Sequence, residues 1–180
     1  TEQTRDLAET THDADFYISI ADMSDLRDIE DVTPNRRLSK HQLIKRGFEF
    51  DVYTERYSAL IVPYDQVLAF AVNYDAIKVA SLEHLVVLKL EALHDRHASA
   101  KGQKDAKDLL RISLVAESQR APFRCDLLAG YLSDDHVDML RRIEGGPEAL
   151  ALARGNAKVA KAYRQAFKKF SARVIEEYDR

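Results

Sequence analysis

Apolar and polar positions alternate through "DADFYISI" (residues 13–20), and the stretch is rich in β-formers, so a strand is expected there. A second alternating run, "GFEFDVY" from Gly47, sends Phe48, Phe50 and Val52 to one face and Glu49, Asp51 and Tyr53 to the other. Between them, "SDLRDIED" reads as a short helix capped by Ser24 and stopped before Pro34. "LSKHQLI" fits either period and is read as extended. "TERY" is expected to turn the second strand into a hairpin partner, "SALIV", ending at Pro63. "YDQVLAFAVNY" then reads as helix and "AIKVA" as a short strand.

From Ser81 onwards the period is helical. "SLEHLVVLKLEALHDR" begins at a Ser N-cap, and "QKDAKDLLRISLVAE" follows a break placed at Lys101-Gly102. Then come "RCDLLAGYL", "SDDHVDMLRRIE" with a Ser133 cap, and, past Gly145-Gly146-Pro147, two helices separated at Gly155-Asn156. Strands mixed with helices first and helices alone afterwards make an α+β fold: a small mixed β-sheet core followed by a helical C-terminal part. The division is expected near residue 120, with a core over 1–120 and a helical region over 121–180.

Composition changes this picture little. The 180 residues are 46% hydrophobic and 32% charged, the profile of a globular chain able to bury its own core. A single cysteine, Cys125, excludes an internal disulfide and suits a reducing, cytoplasmic setting. No apolar run is long enough to span a membrane and no signal peptide is evident. The chain opens on Thr rather than Met, so it is expected to be processed or a fragment.

Charge is divided unevenly. Residues 1–31 hold ten acids against Arg5 and Arg27. Residues 151–175 hold Arg154, Lys158, Lys161, Arg164, Lys168, Lys169 and Arg173 and no acid. The first end suits cations and the second anions, although a basic helix with Tyr163, Phe167 and Phe170 to pack reads first as a solvated face and only then as an RNA contact.

Asp13 and Asp15, at i and i+2, leave the same face of their strand. If the Asp51 strand is a neighbour, three carboxylates converge into a site for one or two Mg²⁺ ions, which prefer hard oxygen ligands. On spacing alone, solvent-facing strand ends are the simpler reading, because D-x-D is short and common. In the helical half, Lys89 and Arg96 share a face with Leu82, Leu85, Val86 and Leu93, while Asp105 and Asp108 share one with Leu109, Ile112 and Ala116. Cations and anions on the apolar faces of consecutive helices predict an ion-paired helical hairpin. Lys89, on the first helix after the sheet, is also placed to meet a triphosphate. His94 and His97 read as surface residues. The chain lacks a G-x-x-x-x-G-K-[ST] loop, a G-x-G-x-x-G loop and a C-x-x-C pair, which argues against P-loop, Rossmann and zinc chemistry.

Taken as a set, "T-x-D-A-D-F-Y-I", "F-E-F-D-V-Y" and "SLEHLVVLKLEALHDR…KGQKDAKDLL" resemble the nucleotidyltransferase superfamily that includes DNA polymerase beta. They most resemble the small AbiEii-type toxins of type IV toxin–antitoxin systems. The resemblance covers about residues 10–115. It implies that Asp13, Asp15 and Asp51 hold Mg²⁺. It also implies that Asp51, Lys89 and Asp105 carry catalysis and that Lys89, Arg96 and Lys101 bind the NTP. Lys89 and Arg96 match the family's Lys-to-Arg spacing, and Asp105 and Asp108 its D-x-x-D, although "HASAKGQK" between them is longer than the family's connection. The implied reaction moves an NMP from an NTP to a hydroxyl of RNA, protein or a small molecule. The implied partners are the NTP, RNA through the basic C-terminal helix, and an antitoxin, with no membrane. The family's Gly-Gly or Gly-Ser turn has no counterpart in "TEQTRDLAE", and metal binding is expected to survive its absence better than turnover. The alternative is a catalytically silent module of the same fold that binds a partner.

Overall fold

The computed structural model describes residues 13–29, 32–119 and 121–180. The fold is α+β. Contacts divide it into two compact units, residues 13–71 and 72–180, so the division falls at residue 71 and not near 120. The reason is that the first long helix packs on the later helices and shares their core.

In the first unit, β1 (Asp13–Ile18) leads through Ser19 into α1 (Ile20–Ile29). Ser19 Oγ accepts from Asp22 N at 3.1 Å, and Asp22 Oδ2 accepts from Ser19 N at 3.3 Å. This reciprocal cap sets the helix start, so Ser24 lies inside the helix and is not its cap. After β2 (Thr33–Asn35) and a single 3₁₀ turn come β3 (Lys40–Lys45) and β4 (Phe48–Thr54). Arg46 (φ 53°) and Gly47 (φ 81°) close a two-residue hairpin between them, since two consecutive positive φ angles match the twist of the flanking strands.

The sheet order is β1-β4-β3-β2. β4 is central, parallel to β1 and antiparallel to β3. Both its edges are therefore occupied, and residues 58–62 form no strand. The chain folds back at once instead: Ser58 N donates to Thr54 O at 2.8 Å and Val62 is fully buried. The expected "SALIV" hairpin is thus corrected, because β4's partner precedes it in the chain. α2 (Tyr64–Ala69) completes the unit.

The second unit opens with an antiparallel ribbon, β5 (Val72–Tyr74) and β6 (Ile77–Val79), where a continuous helix through Tyr74 was expected. Six helical segments follow: α3 (Leu82–Arg96), α4 (Ala100–Ser118), α5 (Asp126–Ala129), α6 (Asp134–Gly145), α7 (Glu148–Leu152) and α8 (Ala157–Tyr178). Ser81, Ser133 and Asn156 cap α3, α6 and α8 through their side chains. Val86, Val87, Leu90, Leu109, Leu110, Leu140, Phe167, Phe170 and Val174 form the core.

The break before α4 falls at residues 97–99, not at Lys101-Gly102. Ser99 Oγ accepts from Gly102 N at 3.1 Å, so Gly102 belongs to the first turn of α4.

Candidate functional site

The register of β1 on β4 decides what the acidic strand can do. Asp13 lies opposite Glu49 and Asp15 opposite Asp51. Partners in register on neighbouring strands leave the same face, so four acids share one side of the sheet. Like charges directly opposite one another on adjacent strands destabilise the pair unless a cation intervenes. β3 supplies one. Lys40 and Gln42, at i and i+2, face the same way, and Gln42 is the register partner of Asp51.

The Lys40 ammonium is ion-paired with Asp51 Oδ2, and Gln42 Nε2 donates to Asp51 Oδ1 at 3.2 Å. Lys40 is only 7% exposed and its ammonium lies 5.8 Å from the Tyr53 ring centroid. Gln42 Oε1 in turn accepts from Asn35 Nδ2 at 3.2 Å. Tyr17, also on this face, meets Tyr64 edge-on with centroids 5.1 Å apart. Burial holds the Tyr17 phenol above its ordinary pKa.

The opposite face carries Phe16, Phe50, Val52, Thr54, His41 and Leu43. Val52 is 2% exposed, and Met23 of α1 packs there, accepting weakly from Thr54 Oγ1 at 3.9 Å. A cleft of 710 Å³ lies on this second side, with Arg27, Arg36, His41, Arg56 and Tyr57 in its wall. Burial, reinforced by the charge of Arg27, pushes the His41 imidazole below its usual pKa. None of the acids opposite β1–β4 lines this cleft.

The second unit holds the other predicted residues. α3 and α4 form the expected hairpin, and Asp105 is its pivot. Arg96 Nε donates to Asp105 Oδ2 at 2.7 Å, and Arg96 Nη2 to Asp105 Oδ1 at 3.0 Å. Lys89 Nζ donates to Asp105 Oδ1 at 3.2 Å and to Asp108 Oδ2 at 2.9 Å. Arg111 Nη1 completes the chain on Asp108 Oδ1 at 2.8 Å.

Burial draws the Lys89 pKa down, but hydrogen bonds and charge from Asp108 and Asp105 outweigh it and hold the ammonium above its ordinary value. The side chain of Asp105 is 1% exposed, whereas those of Lys89 and Arg96 are 31% and 42% exposed. The two cations therefore flank the core stripe of Val86, Val87, Leu90 and Leu93 and do not share it. Lys101, His94 and His97 are exposed. On α8, Lys169 and Arg173 pair with Glu117, while Lys158, Lys161 and Lys168 are exposed.

Asp13, Asp15 and Asp51 thus share one face of the first unit, and Lys89, Arg96, Asp105 and Asp108 form one network in the second. Sequence reading missed Lys40 and Gln42. Their alternation in "LSKHQLI" was visible, but only the hairpin turn at Arg46-Gly47 tells which acid they face. The upstream segment where a glycine turn was sought lies outside the described residues.

Carboxylate oxygens on adjacent strands in register suit Mg²⁺ in chemical kind. As the side chains lie, no group of three Asp, Glu, His or Cys forms a metal cage among the described residues. Both Asp51 oxygens are already engaged, by Lys40 and by Gln42. No helix among the described residues is long and apolar enough to cross a membrane. No protein-family model, curated protein or solved structure matches this chain.

Proposed function

We propose that the acidic face of β1 and β4 is the centre of a Mg²⁺-dependent nucleotidyltransferase that moves an NMP from an NTP to a hydroxyl. One observation carries this reading: Asp15 and Asp51, far apart in sequence, are register partners on one face, with Asp13 two residues from Asp15. Asp13, Asp15 and Asp51 are the residues that would hold the metal. Bound there, Mg²⁺ would offset triphosphate charge and favour in-line displacement.

Asp51 accepts the proton of the acceptor hydroxyl. The acceptor oxygen bonds to the α-phosphorus as the α–β bridging bond breaks, and pyrophosphate leaves. The assignment of Lys89, Arg96 and Lys101 to the NTP rests on the resemblance in motif spacing alone. The exposed lysines of α8 offer contacts to RNA.

The toxin role, with an antitoxin as protein partner, follows from the AbiEii-type resemblance. A cytoplasmic setting follows from the lone, half-buried thiol of Cys125.

The test incubates the protein with Mg²⁺, each labelled NTP and total RNA, beside an Asp15→Ala variant. Label transferred by the native chain and lost in the variant is expected. Transfer that persists in the variant would exclude this site. A second reading, a silent module that binds a partner, is favoured by the engagement of both Asp51 oxygens by Lys40 and Gln42. It becomes the better account if neither protein transfers label.

A further inference from the structure

The cleft on the far side of the sheet carries a surplus of positive charge. Arg27 comes from α1, Arg36 from the 3₁₀ turn after β2, and Arg56 from the turn that ends β4. Arg27 and Arg36 make no ion pair among the described residues. Arg56 meets only its neighbour Glu55, at 3.5 Å, and stays exposed. Asp28 and Glu55 are the acids of the wall, so the three cations outnumber them. The backbone under Arg56 is held at φ 65°, which an arginine adopts at a cost. Tyr57 N and Ser58 N, both donating to Thr54 O at 3.1 and 2.8 Å, pin that turn.

His41 of β3 forms part of the same wall and is only 6% exposed. Its Nδ1 is buried and has no hydrogen-bond partner among the described residues. A buried ring nitrogen left unpaired is destabilising, so a polar partner arriving from outside is gained at full value. Burial first, and then the charge of Arg27, disfavour the protonated ring. An anion seated among the guanidiniums offsets the second effect. The Tyr57 ring lies 5.2 Å from the His41 ring, and Met23 and Pro34 add apolar surface.

We propose that this cleft binds a phosphate monoester of a small aromatic alcohol, with the phosphate against Arg27, Arg36, Arg56 and His41 and the ring against Tyr57, Met23 and Pro34. A phosphate monoester offers three terminal oxygens and up to two negative charges, enough to serve more than one guanidinium fork, whereas a carboxylate has two oxygens and one charge. The cleft volume of 710 Å³ lies in the range of small-molecule sites, and a phosphate alone fills a small part of it. The inference is independent of the acidic face, whose four acids line no part of this cleft.

The probe is phenyl phosphate, titrated into the full chain and followed by the ring ¹⁵N–¹H signals of the histidines, with His41 assigned through His41→Gln. The His41 signals are expected to shift as the probe saturates. Arg27→Gln and Arg36→Gln are each expected to weaken binding at least about fivefold, since each removes a charge-assisted contact. Both positions are exposed, and circular dichroism checks that the variants keep the fold. Arg37→Gln alters an exposed neighbour outside the cleft and is expected to leave binding unchanged. Binding that survives both cleft variants, or that Arg37→Gln weakens as much, would place the probe elsewhere and overturn the proposal. His41 signals that stay still at saturation, or no binding at all, would overturn it too.

Inorganic phosphate, benzoate and phenol complete the test, each expected to bind at least about fivefold more weakly than phenyl phosphate. Equal binding of inorganic phosphate would leave the ring without a role. Equal binding of benzoate would remove the preference for phosphate, and equal binding of phenol would remove the need for charge. Any of these three results overturns the monoester assignment.

Discussion

Gly102 shows how much one residue can decide. A Cβ there would lie 2.3 Å from the Arg96 carbonyl oxygen and 2.9 Å from His97 Cα, both backbone atoms that cannot swing aside. Alanine is better than glycine inside a helix by about 1 kcal/mol, yet the clash is larger. Gly102→Ala is therefore expected to destabilise the fold by about 1–3 kcal/mol in urea unfolding. A variant more stable than native would show that the α3–α4 turn has room to shift.

His84 supplies a second test at this scale. It is buried against Tyr131, and burial pushes its pKa below 6.5, an effect that Glu83 only partly offsets. The unfolded chain then binds more protons than the native one as pH falls through about 6.5. Stability is fully present above that pH and declines on acidification. His41 contributes with the same sign. Unfolding free energy measured from about pH 7.5 to 5.5 should fall, and His84→Gln should flatten part of the fall. An unchanged slope in that variant would remove His84 as a cause.

At the scale of elements, the α3–α4 hairpin is held by one buried carboxylate. Asp105 receives Arg96 through two hydrogen bonds and Lys89 through one. Removing one partner of a buried charge costs more than the pair is worth in itself, because the remaining charge keeps its desolvation penalty. Lys89 stays on Asp105 when Arg96 is lost, so Arg96→Ala should cost about 1–3 kcal/mol, short of the full penalty. Replacing Asp105 with Asn in the same background should recover part of that cost, and the double-mutant cycle reads the coupling. A melting temperature unmoved by Arg96→Ala would show that Lys89 alone satisfies the acid. The paired helices were legible in the sequence because the i, i+3 and i+7 spacing of Lys89, Arg96, Asp105 and Asp108 is a local helical property. The flanking position of the two cations was not legible, since it depends on which neighbour each face of α3 meets.

At the scale of the molecule, residues 72–180 have their own core, with Val86, Leu90, Leu109, Leu140 and Phe170 all 1% exposed or less. A fragment of those residues is expected to be helical by circular dichroism and to melt cooperatively. A gradual, non-cooperative melt would show that residues 72–180 do not fold by themselves. Each unit carries one of the two charged constellations, so the fragment also keeps the Asp105 network without the acidic sheet face.

The sequence by itself determined what is local: the alternation of β1 and β4, the side-chain caps at Ser81 and Ser133, and the periodicity that puts Asp13 beside Asp15. These follow from backbone geometry and from short-range hydrogen bonds, which a few consecutive residues settle. Tertiary structure alone decided that β4 is central, that Asp15 meets Asp51, and that Lys40 closes on Asp51. Strand partners are chosen by burial across the whole sheet and by turn geometry, and a shift of one residue would send every side chain of a strand to the other face. That is why the three acids could be named in advance, while the lysine that neutralises one of them came only with the register.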